Sequence, residues 1–298
     1  MQLFYSDTFE IPLPDGHRFP MPKFRMLRDR LQTREDMSRH VFQESPQASL
    51  ADIERAHTQT YIEQVVHGTL SSAEQRRIGF PWSPAVVERA RRACGATTAA
   101  LNAALSEGGA VHLAGGTHHA CRGHGEGYCV FNDVAVAAYY GYASNSIRRA
   151  LVVDLDVHQG NGTADIMTTE EWCYTFSMHG AKNYPFRKIP SDCDIELADG
   201  TGDDEYLQTL ETALDYVCAA ARPDVIFYTS GADAHANDSI GRLALTKEGL
   251  QARDTMVFAR CRSLGVPFVV TMAGGYGREI SDTVDIHVAT VAAAVVAL

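Results

Sequence analysis

The chain lacks the sequence features of several protein classes. It contains no low-complexity tract, no proline-rich linker and no internal repeat with a period of roughly 20 to 50 residues, so we expect one domain over residues 1–298. Its N-terminus lacks a basic segment followed by an apolar core, and the apolar segment 288–298 is too short to span a bilayer. We therefore expect a soluble, cytoplasmic protein with no membrane partner.

Paired cysteines and an excess of basic residues are also missing. The seven cysteines form no Cys-x-x-Cys pair, which argues against a cysteine zinc finger and a disulfide framework, so we expect reduced, buried thiols. With 26 basic and 37 acidic residues the formal net charge is −11, and we expect no direct nucleic-acid binding. Such a charge mildly favours cationic substrates or basic peptides. A net charge of this size is equally consistent with a role in solubility alone. The sequence does not indicate an oligomeric state.

What the chain does contain is an alternation of strand and helix patterns. Hydrophobic strands without polar alternation, separated by amphipathic helices, are typical of a parallel sheet covered on both faces. We therefore expect an α/β fold with a central parallel sheet of about eight strands and helices on both faces. The clearest predicted strands are 3–5, 110–114, 149–157, 172–178, 223–231 and 266–275. The predicted helices are 23–32, two short helices within 49–68, 83–109, 131–143, 203–221, 246–265 and 280–298.

Polar segments follow four of these strands. Ligands of such sheets bind beyond the carboxyl ends of the strands, so we expect these segments to form one site. They are GGTHH (115–119), DLDVHQGNG (154–162), SGADAHAND (230–238) and AGGYG (273–277).

The second segment indicates a metal site. Asp154, Asp156 and His158 alternate at a strand end, and residues two apart on a strand point to the same face. Together with Asp233, Asp156 and His158 offer two carboxylates and one imidazole, and three ligands with an open fourth position are typical of catalytic zinc. Such a metal polarises a carbonyl group and lowers the pKa of its bound water. The alternative is a hydrogen-bonded strand end without a metal.

Other polar residues suggest acid/base chemistry. His118 and His119 are adjacent in a glycine-bearing loop and could act as general base and acid, as metal ligands, or simply as loop residues. We interpret Asp154 as a carboxylate that orients one histidine and Asn161 as its uncharged counterpart for the other, so the two imidazoles should differ in basicity. Tyr276, in a glycine-rich loop, could donate to a developing oxyanion.

These motifs resemble a known family. GGTHHA, GYCVFNDVAVAA, DLDVHQGNGT, GADAHANDSIG and AGGYG look like the signature segments of the zinc-dependent histone deacetylases, in the family's order. Residues 5–31 and 200–207 resemble its bacterial and class IV-like members. The resemblance covers nearly the whole chain. It implies an arginase-like fold and the hydrolytic removal of acyl groups, acetyl or longer, from amines, typically the ε-amino group of lysine in proteins or peptides.

The resemblance also assigns roles to residues. It implies one zinc ion per subunit, although iron is not excluded as the native metal, with the ligands Asp156, His158 and Asp233. It makes His118 and His119 the acid/base pair, backed by Asp154 and Asn161 respectively, and it makes Tyr276 the residue that polarises the scissile carbonyl.

Two further groups follow from the resemblance. The walls of the substrate tunnel are expected at Gly127, Tyr128, Tyr184, Ile240 and Gly275. A structural potassium ion is expected at Asp154, Asp156, His158, Ser177 and Met178.

Some positions depart from the family's pattern. Gln159 and Asn161 replace a histidine and an aspartate that are frequent elsewhere in the family, and we expect a moved pH optimum rather than a changed chemistry. Ser239 stands where proline is typical and Ile240 lies near the tunnel wall, so the acyl-chain preference stays open.

Three other functions compete with the deacetylase function that the resemblance implies. An acetylpolyamine amidohydrolase would use the same zinc site on a small acylated cationic amine, which suits the acidic charge, but no long insertion narrows the entrance. A two-manganese ureohydrolase needs Asp-x-His-x-Asp, and Gly160 occupies the last position. A catalytically silent acyl-lysine binding module would not need the histidine pair or the tyrosine, yet all of them are present.

Overall fold

The sheet matches the predicted architecture. A computed structural model describes all 298 residues. Its eight strands form one parallel sheet in the order β2-β1-β3-β8-β7-β4-β5-β6, which confirms the α/β prediction. The strands are β1 (Gln2–Tyr5), β2 (Val41–Glu44), β3 (Gly109–His112), β4 (Ala150–Asp154), β5 (Cys173–Gly180), β6 (Cys193–Leu197), β7 (Val225–Thr229) and β8 (Phe268–Thr271).

Ten α-helices connect or flank these strands, and none is long and apolar enough to cross a bilayer. The longest, α5, begins at Pro84, where Ser83 accepts a hydrogen bond from the Val86 amide, and it ends before Gly108, whose φ is +91°. The helices are α1 (Pro22–Gln32), α2 (Leu50–Glu54), α3 (Gln59–His67), α4 (Ser72–Ile78), α5 (Pro84–Glu107), α6 (Asp133–Ala143), α7 (Asn161–Met167), α8 (Asp203–Ala221), α9 (Lys247–Leu264) and α10 (Ile280–Val296).

Alternate residues of the central strands pack into two cores on opposite faces of the sheet. In β4, Leu151 and Val153 pack with residues of α8, α9 and α10, whereas Ala150 and Val152 pack with residues of α5 and α6. All four are at most 1% exposed. Because both faces are covered, these strands are continuous apolar runs in the sequence.

Strand β4 is shorter than predicted. It ends at Asp154 rather than at residue 157, so Asp156 and His158 lie in the loop that follows. The alternation of side chains nevertheless continues, because Leu155 and Val157 are buried in the same core as the odd-numbered residues of β4. The loop therefore directs Asp156 and His158 away from that core.

Candidate active site

The four polar segments meet at the carboxyl edge of the sheet. They follow β3, β4, β7 and β8, which are neighbours in the sheet. A cavity of about 360 Å³ opens at this edge, and we call it the catalytic cavity. Its lining includes five of the predicted catalytic and metal-binding residues, namely His118, His119, Asp156, His158 and Tyr276.

The three predicted metal ligands lie together. One nitrogen or oxygen atom from each of Asp156, His158 and Asp233 lies within 4.8 Å of the others. His158 Nδ1 is 2.9 Å from Asp156 Oδ1 and 3.3 Å from Asp233 Oδ2. The second oxygens are fixed by the backbone, since Asp156 Oδ2 accepts from the Gly274 amide at 2.8 Å and Asp233 Oδ1 accepts from the Val157 amide at 2.9 Å. The positions of the donor atoms are thus set by loops after three strands.

This donor set fits a divalent cation. Asp233 Oδ2 is buried and receives no well-directed hydrogen bond, which is unusual for a carboxylate oxygen. Burial lowers the pKa of His158, but the carboxylates of Asp156 and Asp233 more than offset this and raise it to about 10. Burial and the charge of Asp156 raise the pKa of Asp233 to about 6. The cluster therefore attracts positive charge, and a nitrogen and two carboxylates with an open fourth position match zinc.

His118 is paired with a carboxylate. Its Nδ1 lies 2.7 Å from Asp154 Oδ2, and since a carboxylate only accepts, His118 donates this hydrogen bond. Burial lowers the pKa of His118, but the charges of Asp154 and Asp156 outweigh burial and raise it to about 9. His118 therefore favours the imidazolium form.

His119 is paired with an amide instead. Its Nδ1 lies 2.7 Å from Asn161 Oδ1, while Asn161 Nδ2 donates to Glu126 Oε1 at 2.6 Å. Burial raises the pKa of Glu126, but the hydrogen bond from Asn161 and the nearby His124, whose Nε2 lies 3.7 Å from Glu126 Oε2, outweigh burial and lower it. This side chain is therefore a carboxylate and only accepts. The Asn161 amide is thereby held with its oxygen towards His119, so that Nδ1 of His119 carries the hydrogen and Nε2 keeps a lone pair.

The charge state of His119 follows from its surroundings. Burial and the charges of His118 and His158 hold its pKa well below the ordinary value. The two neighbouring imidazoles therefore differ in basicity, as their different partners imply. Sequence reasoning missed Glu126, because its contact with Asn161 spans 35 residues and no motif marks it.

Tyr276 is fixed through its backbone. Its amide donates to Asp238 Oδ2 at 2.7 Å, and its carbonyl accepts from Ser239 N at 3.0 Å and from Ser239 Oγ at 2.6 Å. A proline at 239 would lack both donors, so the departure at Ser239 adds two hydrogen bonds to this loop. Asp238 Oδ1 also accepts from the amides of Ile240 and Gly241, each at 2.9 Å. Asp238 was missed, although Asp-x-x-Gly is a recognisable turn pattern.

A buried lysine supports the same loop. Lys23 is 2% exposed, and its Nζ donates to the carbonyl of Ala273 at 3.0 Å and lies 5.6 Å from the centre of the Tyr276 ring. Burial lowers its pKa to about 8. No sequence signal pointed to Lys23, because its partner lies 250 residues away.

Four of the five predicted tunnel residues line the catalytic cavity: Gly127, Tyr128, Tyr184 and Ile240. Tyr128 has a φ of +65°, and its amide donates to the Ile78 carbonyl at 2.7 Å, which places its ring at the wall. Gly275 does not line this cavity, whereas its neighbour Gly274 does. A side chain at Gly275 would collide with Thr283, so this glycine permits the close packing behind the wall.

Gln159 connects two loops of the site. Its amide donates to the Ile189 carbonyl at 2.8 Å and to Asp194 Oδ1 at 2.9 Å, and its oxygen accepts from the Ile189 amide at 3.0 Å. The segment that contains Tyr184 is thereby tied to the loop after β4. The departure at Gln159 thus has a structural role.

The residues predicted to hold potassium lie around β4 and β5. Asp154, the last residue of β4, pairs in register with Ser177 of β5, and Met178 follows. Ser177 and Met178 are at most 2% exposed. They therefore lie in the interior, beside the loop that contains Asp156 and His158.

Comparison with known proteins identifies several relatives of this chain. The histone deacetylase domain matches residues 17–291. An uncharacterised protein of Picosynechococcus sp. is 40% identical, with 95% of this chain and 94% of that protein covered. Histone deacetylase 2 of Arabidopsis thaliana is 28% identical, with 96% and 78% covered.

A solved structure supports the same assignment of the fold. The crystal structure of the HDA15 HD domain superposes with a TM-score of 0.80 at 20% identity, over 99% of this chain and 89% of that one. The fold is therefore the arginase-like fold implied by the sequence motifs. From the domain match and these relatives, the chain belongs to the histone deacetylase family and is a hydrolase of the deacetylase and amidohydrolase type.

Proposed function

We propose that the chain is a zinc-dependent deacylase that removes acyl groups, acetyl or longer, from the ε-amino group of lysine in proteins or peptides. One observation carries this proposal: three kinds of catalytic group face one cavity. They are the donor atoms of Asp156 and His158, beside which the Asp233 carboxylate lies, the free Nε2 of His119, and the phenol of Tyr276.

The residues divide the chemistry between them. When bound by Asp156, His158 and Asp233, zinc supplies a Lewis acid that polarises the acyl carbonyl and lowers the pKa of water. His119 Nε2 takes a proton from the attacking water, since its hydrogen is held on Nδ1 by Asn161.

Hydrogen-bond donors stabilise the negative charge that develops on the carbonyl oxygen. The Tyr276 hydroxyl donates to this oxygen, and the imidazolium of His118, held by Asp154, adds positive charge close by. The carbon–nitrogen bond then breaks as the imidazolium formed at His119 gives its proton to the leaving nitrogen. The products are a carboxylic acid and the lysine amine, and the proton of the acid then passes to the amine or to water.

The catalytic cavity is larger than the reaction centre. Its 31 lining residues include 17 hydrophobic ones, and several of these are buried, namely Ile11, Phe24, Val86, Val130 and Phe131. Each methylene of an acyl chain buried there contributes about 0.8 kcal/mol. We therefore propose that acyl chains longer than acetyl are accepted.

A bound potassium ion completes the proposal. Carboxylate, hydroxyl and carbonyl oxygens are the donors that a hard cation takes, and the residues around the end of β4 offer them. The proposed ligands are Asp154, Asp156, His158, Ser177 and Met178.

Turnover of a matched substrate panel tests the function. Zinc-loaded enzyme is given one lysine peptide that carries an acetyl, octanoyl or myristoyl group, and acetylated putrescine in parallel. Hydrolysis of the lysine peptides, with the longer acyl groups at least as good as acetyl, is the expected result. Turnover confined to acetylputrescine would instead identify a polyamine enzyme. Bound zinc without any turnover would identify an acyl-lysine binding module.

A further inference from the structure

A second cavity forms the way in to the catalytic cavity. This entrance cavity has a volume of about 840 Å³, and 14 residues line it. It shares five lining residues with the catalytic cavity, namely Tyr128, His158, Tyr184, Ile240 and Tyr276. A substrate that reaches the catalytic residues from this side therefore has to pass the other residues of the entrance.

The charge of the entrance is opposite to that of the chain. Acidic residues outnumber basic ones by 37 to 26 in the sequence. Among the 14 residues that line the entrance cavity, however, no residue is acidic and four are cationic: Arg18, Lys182, Arg242 and Arg278. All four are exposed. The residues around the entrance cavity therefore carry net positive charge, whereas the whole chain has a net charge of −11.

Most of this positive charge is uncompensated. Lys182 and Arg242 share one carboxylate, with Asp199 Oδ2 at 3.7 and 3.2 Å respectively. Arg18 and Arg278 form no salt bridge and donate no side-chain hydrogen bond, so their guanidinium groups are free to bind an incoming anion. The exposed Arg76 and Arg77 line the adjoining catalytic cavity and add two more positive charges.

We propose that the entrance selects acyl-lysine segments whose neighbouring residues are aspartate or glutamate. The inference rests on the proposed deacylase function and names its substrate class: an acidic peptide or protein segment. A small polyamine brings positive charge to the same surface and is repelled there, although the sequence's acidic balance had favoured it. Exposed charges act over a distance and are weakened by salt, so the selection should appear in the binding of substrate rather than in the chemical step.

Three peptides with the same acyl-lysine test the proposal, with flanking glutamates, glutamines or lysines. Exposed charge pairs each contribute little, so we expect kcat/KM for the glutamate peptide to exceed that for the glutamine peptide by about 10-fold. The lysine peptide should be the poorest substrate. The differences should lie in KM, and they should shrink towards unity as the salt concentration rises to about 0.5 M.

Charge-removing variants locate the effect. Arg18→Gln combined with Arg278→Gln should lower the preference for glutamate over glutamine by about threefold. Arg148→Gln is the matched control, because Arg148 is also exposed but lies just before β4, at the opposite edge of the sheet. This control should keep the full preference.

The outcomes separate the two proposals. If the glutamine peptide is hydrolysed as well as the glutamate peptide, or if the double variant keeps the preference, the acidic-substrate inference is wrong while the deacylase function stands. If acetylputrescine is hydrolysed and no lysine peptide is, both proposals fail.

Discussion

The catalytic centre and the entrance differ in charge, burial and construction. In the centre, Asp154, Asp156 and Asp233 are at most 2% exposed, and backbone amides or histidines fix their oxygens. At the entrance, Arg18 and Arg278 are exposed and have no acidic partner. The same chain thus places fixed negative charge in its interior and free positive charge at the opening.

This difference predicts which positions govern the rate of the reaction and which govern the choice of substrate. Charges in a water-poor interior interact strongly, and a group left there without its partner costs several kcal/mol, whereas exposed pairs contribute about 0.2–1 kcal/mol. Changes in the centre should therefore alter kcat by large factors, and changes at the entrance should alter KM by small ones.

Among substitutions that leave the metal ligands in place, the largest effect is expected at Tyr276. Tyr276→Phe removes the hydroxyl that meets the oxyanion and keeps the ring beside Lys23 and Tyr128. Loss of one oxyanion donor should lower kcat by about 10²–10³-fold with KM little changed. Steady-state kinetics on the best acyl-lysine peptide measures this, with thermal melting as the control for folding. Undiminished turnover would remove Tyr276 from the mechanism.

The stability of the folded protein should also decrease at acidic pH because of His57. Its Nε2 accepts from the Asn132 amide at 2.9 Å, and its Nδ1 lies 3.0 Å from the Cys121 carbonyl, beneath the catalytic loop. Burial lowers the pKa of His57 from 6.5 to about 4. Between these two pH values the unfolded chain binds the extra proton, so His57 alone should lower the free energy of unfolding by about 3 kcal/mol as the pH drops from about 6.5 to 4.

Urea unfolding at several pH values measures this loss. His57→Gln is the comparison, because a glutamine side chain has an acceptor and a donor but does not titrate in this range. We expect a flatter pH dependence in the variant. An identical slope in both proteins would contradict the assignment to His57.

A smaller effect is expected where Glu126 orients Asn161. In Glu126→Gln the new amide both donates and accepts, so Asn161 is free to turn and His119 loses its fixed tautomer. We expect kcat to fall by about 30-fold, within the range seen for residues that orient ligands, with KM unchanged.

Two matched variants sharpen this result. Asn161→Asp in the Glu126→Gln background gives His119 an acceptor-only partner again and should restore part of kcat. Glu171→Gln, at an exposed glutamate after α7, should leave kcat unchanged. Equal kcat in Glu126→Gln and the parent would show that Glu126 has no influence on His119.

The smallest change in the centre is expected at Ser239. Ser239→Pro removes both donors to the Tyr276 carbonyl, and Ser239→Ala removes only the hydroxyl donor. Since one such exposed hydrogen bond contributes about 0.7 kcal/mol, we expect kcat to fall by about 10-fold in the first variant and by about threefold in the second. A proline variant as active as the parent would mean that these two bonds do not position Tyr276.

The central sheet was predictable because its strands are buried on both faces. Runs such as ALVVD in β4 are apolar at every position before the terminal aspartate and cannot form an amphipathic surface strand. The edge strands β2 and β6 were not among the strands read from the sequence. Their sequences, VFQE and CDIEL, keep exposed polar positions and resemble loops. The short helices α4 and α7 were missed because their helical periodicity is weak.

The site was predictable where its residues follow strands. The carboxyl ends of neighbouring parallel strands converge, so the sequence alone placed His118, Asp156, Asp233 and Tyr276 at one edge. The supporting residues were not predictable, since Lys23 reaches a carbonyl 250 residues away and depends on how α1 packs on the loops. The charge around the entrance cavity was not predictable, because a net charge averages over surfaces that the fold separates.

The central claim is that Asp156, His158 and Asp233 hold one divalent metal ion that amide hydrolysis requires. The most direct test measures metal content and acyl-lysine turnover on the same samples: the purified protein, the protein after chelation, the chelated protein after zinc is restored, and Asp233→Ala. We predict one metal equivalent per chain with turnover, neither after chelation, both after zinc is restored, and neither in Asp233→Ala. Full turnover without bound metal, or metal and turnover retained in Asp233→Ala, would contradict the account.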